Sequence, residues 1–430
     1  MSLRVPELAL VAAFHDSFAR PGSPDDTKHA YDRMVDRDRH TLSLHLDCIG
    51  IRCDLACPPT SRYFGSRSDN DTAKETPELP QWAGGVKGAH VQCHAVIIGA
   101  GIAGLATAVA LRRAGWSVSV YERADAPSSG GTALGMWPEA MRALDAIGVG
   151  DDVRRNSALS RGATILDPSG EPVGRIPSTR SARLISRERL MCALLGAVPS
   201  RCIHWSHEWK SADLFPEADL VVGADGIHSA IRSRTWGASL ERPLHTVAYR
   251  GVVDQRVESV TETWGRGALF GITPTGDGRT NWFACVRRSR LGEADVDHAQ
   301  ALGRLFSDWH SQVRGVLGQV GVHDIDRREL FDVSLPHPYV RGATVLVGDA
   351  AHAMAPNLGR GACESLIDAV ALGRALSTGD TVREGLRRYD RVRRSSTRRI
   401  VAMARTLNGI ATAEHGWRIR DGLLRLALRP

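Results

Sequence analysis

HAVIIGAGIAGLATAVALRRAGWSVSVYE, His94–Glu122, is the stretch on which the fold turns. Ala95–Ile98 is a short apolar run of the kind a buried parallel strand needs. Three glycines follow, then a helical pattern from Ile102 to Ala114, then the alternating strand Ser117–Tyr121. Strand, turn, helix and strand in about 30 residues is the span of a βαβ unit. In that setting Gly99-Ala100-Gly101-Ile102-Ala103-Gly104 fits the dinucleotide fingerprint. The first glycine permits the tight turn, the second lets a pyrophosphate approach the backbone, and the third allows close helix–strand packing. The helix N-terminus adds N–H groups and positive dipole for phosphate. Glu122 ends the next strand, where a carboxylate accepts both hydroxyl hydrogen bonds of an adenosine ribose and repels a 2′-phosphate. The uncharged run Ala95–Leu111 is 17 residues long and carries three glycines, so it reads as strand, turn and helix and no stable membrane insertion is expected.

Outward from this unit, Asp219–Gly223 and Ala343–Gly348 are two further buried-strand candidates, each running into a glycine-containing turn. The first gives Gly223-Ala224-Asp225-Gly226, followed by Ser229 and Arg232. The second gives Gly348-Asp349-Ala350-Ala351-His352, followed by Pro356, Gly359, Gly361 and a helical run from Ala362 to Leu376. Between them lies a β-rich region, Thr246–Val253, Thr261–Thr273 and Thr280–Val286, broken by turns such as Thr275–Arg279. From Thr381 the pattern is helical. Eight arginines between Arg383 and Arg399 read as a solvated face, and Trp417–Leu428 reads as an apolar-striped docked helix. Residues 1–90 hold three of the four lysines and several Pro, Ser and Asp clusters, with one possible strand at Thr41–Leu46. They read as a loosely ordered N-terminal extension, or as sequence upstream of a true start near Val91.

Apolar content of 43% and charge of 24% are ordinary for a globular enzyme of 430 residues. The net charge of +7 comes from 51 arginines against four lysines, a bias that fits a GC-rich genome better than a nucleic-acid surface, so no nucleic-acid partner is expected. Eight cysteines are widely spread with no Cys-x-x-Cys pair, and Cys48, Cys53 and Cys57 lack histidines at zinc-finger spacing. Reduced thiols and no metal site are expected. Glu7 precedes the apolar stretch Leu8–Phe14 and no cleavage pattern follows, so a cytoplasmic chain without a signal peptide is expected. The oligomeric state is not legible.

Three segments in this order, Gly99–Gly104 with Glu122, Gly223–Gly226, and Gly348–His352 with Pro356 to Ala362, resemble the class A flavoprotein monooxygenases over roughly His94 to Arg399. That family includes aromatic-ring hydroxylases, salicylate- and urate-hydroxylase-like enzymes and zeaxanthin epoxidase. The resemblance implies an α/β fold: a Rossmann-like FAD-binding domain with an inserted β-sheet substrate domain and C-terminal helices. The expected divisions are 1–90 for the extension, 91–242 and 341–400 for the two parts of the FAD-binding domain, 243–340 for the β-rich substrate domain, and 401–430 for C-terminal helices. It implies that Gly99, Gly101, Gly104, Glu122 and Arg123 bind the ADP half of FAD. Asp225 and Gly226 would serve the pyrophosphate, Gly348 and Asp349 the ribityl chain, and Pro356, Gly359, Gly361 and Ala362 the isoalloxazine ring. Arg187 matches an arginine that reaches the cofactor, and Gly130, Gly131, Trp137 and Pro138 match the loop that covers it. The implied reaction uses NAD(P)H as a transient co-substrate and O2. It would hydroxylate or epoxidise a small aromatic or unsaturated substrate through a flavin C4a-hydroperoxide. Tyr249, Phe270, Ile272, Pro356 and Leu358 are the expected pocket lining, with Arg250 the candidate for positioning substrate.

The chain departs from the family in two places. Arg360 stands where glutamine is usual, putting a charge either at the flavin edge or toward solvent, and the stretch between Leu190 and Asp219 is about 20 residues short of the usual outer β-meander. His352 and Cys363 invite catalytic readings but are expected to be packing residues beside the cofactor turn. A flavin-dependent halogenase is disfavoured because no Trp-x-Trp pair occurs. A reductase of an isoprenoid-type double bond, or a degenerate flavin-fold paralogue without activity, stay open as alternatives.

Overall fold

Ala95, Val96 and Ile97 are wholly buried and Ile98 nearly so, because the strand they form lies inside a parallel sheet covered on both faces. The computed structural model describes residues 93–127, 132–160, 162–176, 182–210, 215, 217–237, 241–292, 297–321, 324–334, 336–377 and 381–428. The expected extension, with its possible strand Thr41–Leu46, Leu8–Phe14, Cys48, Cys53 and Cys57, lies outside the described residues, as do Gly130 and Gly131.

In chain order the strands are β1 (His94–Ile98), β2 (Ser117–Tyr121), β3 (Ala133–Met136), β4 (Ala158–Leu159), β5 (Ala163–Leu166), β6 (Pro172–Ile176), β7 (Arg183–Ser186), β8 (Ile203–His204), β9 (Leu220–Gly223), β10 (Glu241–Val253), β11 (Val260–Trp264), β12 (Ala268–Pro274), β13 (Thr280–Arg287), β14 (Asp326–Val333), β15 (Val340–Arg341) and β16 (Thr344–Leu346). The helices are α1 (Ile102–Arg113), α2 (Pro138–Ala146), α3 (Gly150–Arg155), α4 (Arg187–Gly196), α5 (Ala230–Trp236), α6 (His298–Leu305), α7 (Ser311–Leu317), α8 (Asp349–His352), α9 (Gly361–Ser377), α10 (Val382–Ala411) and α11 (Trp417–Ala427).

A six-stranded sheet runs β15-β16-β9-β1-β2-β8, with β9, β1 and β2 parallel and adjacent and β16 parallel to β9. Helix α1 is buried from Ile102 to Leu111 because it is sandwiched between this sheet and α9. The uncharged run is therefore core, and no described helix is long and apolar enough to cross a membrane. Two glycines make the tight packing possible. A Cβ at Gly104 would lie 1.8 Å from the Gly99 carbonyl oxygen, and one at Gly373 would meet Ala110 at 3.0 Å.

The second sheet has seven strands, β14-β10-β13-β12-β11-β5-β6, and a small third sheet has the order β3-β7-β4. Strands β5 and β6, which the sequence divisions placed within 91–242, pair into the seven-stranded sheet. Thr261–Thr273 is two strands, because the chain reverses through Gly265–Gly267, with Gly267 at φ +67. One face of this sheet packs on α6 and α7 through Phe270, Trp282, Phe306 and Trp309. The other face packs on the end of α10 and on α11, with Ala248, Leu269 and Cys285 against Ile410, Ala411 and Leu424. Helix α10 opens with a capping box between Thr381 and Glu384. Its arginine run is not wholly a solvated face. Arg393 is only 4% exposed, because it turns inward to Glu364 and Asp368 on α9.

Candidate active site

Three turns meet at one end of the six-stranded sheet. Ile98 is in register with Gly223 and Leu346 with the same Gly223, so Gly99, Asp225 and Gly348-Asp349 leave neighbouring parallel strands side by side at their carboxyl ends. A crevice outside the carboxyl ends of parallel strands is where open α/β sheets bind ligands.

At the first turn Gly99 takes φ +105 and donates its N–H to the Tyr121 carbonyl at 2.8 Å. A side chain here would strike the Ala224 backbone at 2.5 Å, so the turn from β1 needs glycine to pass the turn from β9. Gly101 differs: a Cβ there would meet nothing within 4 Å, so the space above the α1 N-terminus is open, and no side chain caps that helix end. Glu122 is locked in place beside it, Oε2 accepting the Ala100 N–H at 2.8 Å and Oε1 the Ala124 N–H at 3.0 Å. Arg123, next along, is exposed.

At the second turn Asp225 Oδ2 accepts the Ile231 N–H at 3.1 Å and so helps cap α5. Its Oδ1 is buried and takes no hydrogen bond among the described residues, and burial pushes the carboxyl up. Gly226, at φ +80, has open space where a side chain would be. Arg232 of α5 is 1% exposed and donates to the Ala350 carbonyl at 2.9 Å, tying this turn to the third.

Asp349 starts α8 in the third turn. Its side chain is open to solvent-sized space, yet it lies deep enough that burial pushes its carboxyl up, opposed by His352 and Arg187. Asp349 is thus exposed at its surface but flanked by charged and buried neighbours. Gly361, the first residue of α9, lies across from it: a Cβ there would be 3.9 Å from Asp349 Oδ1. Gly348 has φ +58 and is crowded by Ala103 and Ser365, and its N–H reaches Asp368 Oδ2 at 2.8 Å. Gly359, at φ +59, lies near the indole of Trp137, whose Nε1 is buried without a hydrogen-bond partner among the described residues. Ala362 is half-buried and Pro356 exposed beside them. Arg187, at the start of α4, is half-buried. Burial and the charge of Arg250 lower its affinity for its proton, while Asp349 raises it, which places the β10 arginine and the α8 carboxylate together around it.

Behind this wall His352 and Asp368 form a fully buried pair, Nε2 to Oδ2 at 2.6 Å, which Arg393 joins at 2.5 Å. His352 therefore serves the packing of α8 on α9. Cys363 points its thiol at the Gly135 carbonyl, and burial pushes it up to about 11, so it carries no thiolate at neutral pH. Arg360 is 11% exposed and its guanidinium is held by Glu364 at 2.7 Å and by Glu139 at 3.6 Å, binding α9 to α2. It does not point to solvent, the second of the two positions expected for it.

The expected pocket lining is corrected in three positions. Tyr249, Phe270 and Ile272 are 1%, 0% and 1% exposed and face the closed core under α6 and α7, where Phe270 stacks on Trp282 with ring centroids 5.7 Å apart. Side chains alternate along a strand, so their neighbours Arg250 and Gly271 take the opposite face. Leu358 is half-buried against Leu244, Ala355 and Ala404. Arg250 is paired with Asp326 on β14 at 2.7 Å. Sequence reasoning also passed over Glu262, a half-buried carboxyl on the Arg250 face, whose signal was one acid in the strand Val-Thr-Glu-Thr-Trp.

The FAD binding domain family matches residues 216–404, and the FAD dependent oxidoreductase family matches residues 94–183. The aurachin C monooxygenase/isomerase of Stigmatella aurantiaca is 32% identical over 360 residues, 77% of this chain and 93% of that protein. The FAD-dependent urate hydroxylase of Klebsiella oxytoca is 29% identical over 72% of this chain and 88% of its own length. The crystal structure of Klebsiella pneumoniae HpxO complexed with FAD and uric acid superposes with a TM-score of 0.69 at 25% identity, covering 78% of this chain and 97% of that one.

Proposed function

The chain belongs to the FAD-dependent monooxygenases, and from that premise we propose that the cleft at Gly99, Asp225 and Asp349 holds FAD and that NAD(P)H is its transient reductant. The observation that carries the placement is the convergence of these three turns at the ends of adjacent parallel strands, with the Asp349 carboxyl accessible among them. The residues fit an adenine dinucleotide. There is room over Gly101 and Gly226, Glu122 is fixed where a ribose would need an acceptor, and Asp225 Oδ1 and Trp137 Nε1 are polar atoms still lacking partners among the described residues. When bound, the flavin supplies the oxygen-activating chemistry.

The chain's own groups have four tasks in this reading. The first turn of α1 donates N–H groups to the pyrophosphate. Glu122 accepts from the adenosine ribose, and Asp349 from the ribityl hydroxyls. Gly361 and Ala362 at the start of α9 turn their N–H groups and the helix dipole toward the ring, where negative charge develops on reduction. Arg187 and Arg250 add positive potential on the sheet side of the cleft, and the seven-stranded sheet walls the substrate off from water. Gly99–Gly104 is the one dinucleotide fingerprint among the described residues, so NAD(P)H has no Rossmann site of its own in this reading and reaches the flavin from the open side. The substrate is a small flat ring. Relatives bear names such as FAD-dependent urate hydroxylase and 3-amino-4-hydroxybenzoate 2-monooxygenase.

The purified chain is expected to be yellow and to release FAD. Asp349→Ala is expected to lose flavin on gel filtration while keeping the wild-type circular dichroism spectrum. Unchanged flavin occupancy in that variant would remove the ribityl role. Substrate-stimulated consumption of NADH or NADPH with equal oxygen uptake tests the reductant, and consumption without oxygen uptake would contradict it.

A further inference from the structure

One half-buried carboxyl group of the seven-stranded sheet has no partner of opposite charge among the described residues. Glu262 of β11 is in register with Gly271 of β12, Gly271 with Phe283 of β13, and Phe283 with Arg250 of β10, so the four side-chain positions share one face. Part of that face, at Ile165, Trp264, Leu269 and Cys285, packs on α10 and α11 with Phe283 against the same cluster, and its Arg250 end turns toward the cleft. Arg187 feels both Arg250 and Asp349, and two residues along β13 the Asn281 Oδ1 accepts the Ala133 N–H of β3 at 3.0 Å.

The middle of the row is covered by an aromatic ring. A Cβ at Gly271 would come within 2.1 Å of the Phe283 ring, so that ring lies across the glycine toward Glu262. Trp264 Nε1 donates to Glu262 Oε2 at 2.9 Å and fixes the orientation of the carboxyl. Oε1 takes no hydrogen bond among the described residues, and the side chain remains half-buried, open to solvent-sized space. Burial pushes the carboxyl up, only partly offset by the indole hydrogen bond, and it also drives the thiol of Cys285 up to about 12 under the influence of Glu262. A carboxyl kept in such surroundings costs stability unless a ligand supplies the missing partner.

We propose that Glu262 is the substrate-anchoring residue of this enzyme, accepting through Oε1 a hydrogen bond from an N–H or O–H on the edge of a flat aromatic ring laid against Phe283. The proposal rests on the placement of the flavin cleft given above and deepens it by naming the group that the substrate must carry. Sharing that hydrogen with a carboxylate raises the electron density of the ring, which is what an attack by electrophilic oxygen requires. A site built around such an acceptor discriminates against an analogue without the donor far more than a greasy pocket does, because the analogue leaves the acceptor buried and unpaired.

Calorimetric titration of the full-length protein with matched pairs tests this: indole against 1-methylindole, and 2-naphthol against 2-methoxynaphthalene. In the wild type each donor is expected to bind about tenfold or more tightly than its methylated partner. Glu262→Leu is expected to abolish that preference by weakening the donors alone, and Glu262→Gln, which keeps a carbonyl acceptor, to retain part of it. Equal binding within each pair, a preference that survives Glu262→Leu, or no binding by either donor would overturn the proposal. Flavin absorbance of the same samples is a separate reading. A colourless protein strikes the cofactor placement, whereas a lost or absent preference strikes Glu262.

Discussion

Asp368 shows how a single buried residue can hold the turn at Gly348 and Asp349 in place. It accepts from the Gly348 N–H at 2.8 Å, from His352 at 2.6 Å and from Arg393 at 2.5 Å. Burial alone would push its carboxyl up, but His352 and Arg393 bring it down to about 2 from the ordinary 3.8. A depressed carboxyl contributes stability above its unfolded value and loses it as pH falls toward the folded value, here a contribution of about 2 kcal/mol. His352 has the opposite sense. Burial lowers it, but the charge of Asp368 outweighs burial and holds it above 6.5, so its contribution is complete below that pH and disappears as pH rises through its folded value. Stability is therefore expected to fall below pH 4, and Asp368→Asn to flatten that acid limb. The variant should also cost about 3 kcal/mol near neutrality by leaving Arg393 and His352 without their shared acceptor. Thermal melts across pH read both effects, and an acid limb unchanged in the variant would assign it to other carboxylates.

At the scale of elements, the cleft depends on how closely two helices approach. Helix α9 carries Gly361 to the cleft at one end and packs Gly373 against Ala110 of α1 further along. Gly373→Val adds atoms where a single Cβ already sits at 3.0 Å, an overpacking that costs roughly 1–3 kcal/mol. Because α9 is one rigid rod, the same substitution is expected to displace Gly361 and speed FAD loss, even though residue 373 is far along the helix from the cleft. Differential melting with timed flavin release checks this. Normal flavin retention in a destabilised variant would show that α9 pivots without moving its N-terminus.

At the scale of the whole molecule, the seven-stranded sheet divides labour between its faces. Phe270, Tyr249 and Ile272 belong to the core under α6 and α7, while Arg250, Phe283 and Glu262 lie on the opposite face, part of which packs on α10 and α11. Phe270→Ala is accordingly expected to destabilise by about 3–5 kcal/mol with KM for substrate unchanged. A raised KM at wild-type stability would return Phe270 to the pocket. Arg360, similarly, binds α9 to α2 through Glu364 and Glu139, so its charge is spent on holding two elements together.

The sequence by itself determined the nucleotide layer. Gly99, Gly101 and Gly104 after an apolar run, Glu122 after the next strand, and the turns at Asp225 and Asp349 are local signals, because each reflects a backbone that needs glycine or a carboxylate at a fixed distance along the chain. Helices α1, α9 and α10 are equally legible from their helical pattern. What only the tertiary structure decided was which face of each strand lies under α6 and α7. A strand shows period two but not the direction of its first residue, so the choice between Phe270 and Gly271, or Tyr249 and Arg250, rests on what covers each face. The helices α6 and α7 that cover one, and the helices α10 and α11 and strand β3 that border the other, come from distant parts of the chain. Burial of Arg393 and pairing of Arg360 depend on those same long-range contacts, whose partners no local pattern of charge can name.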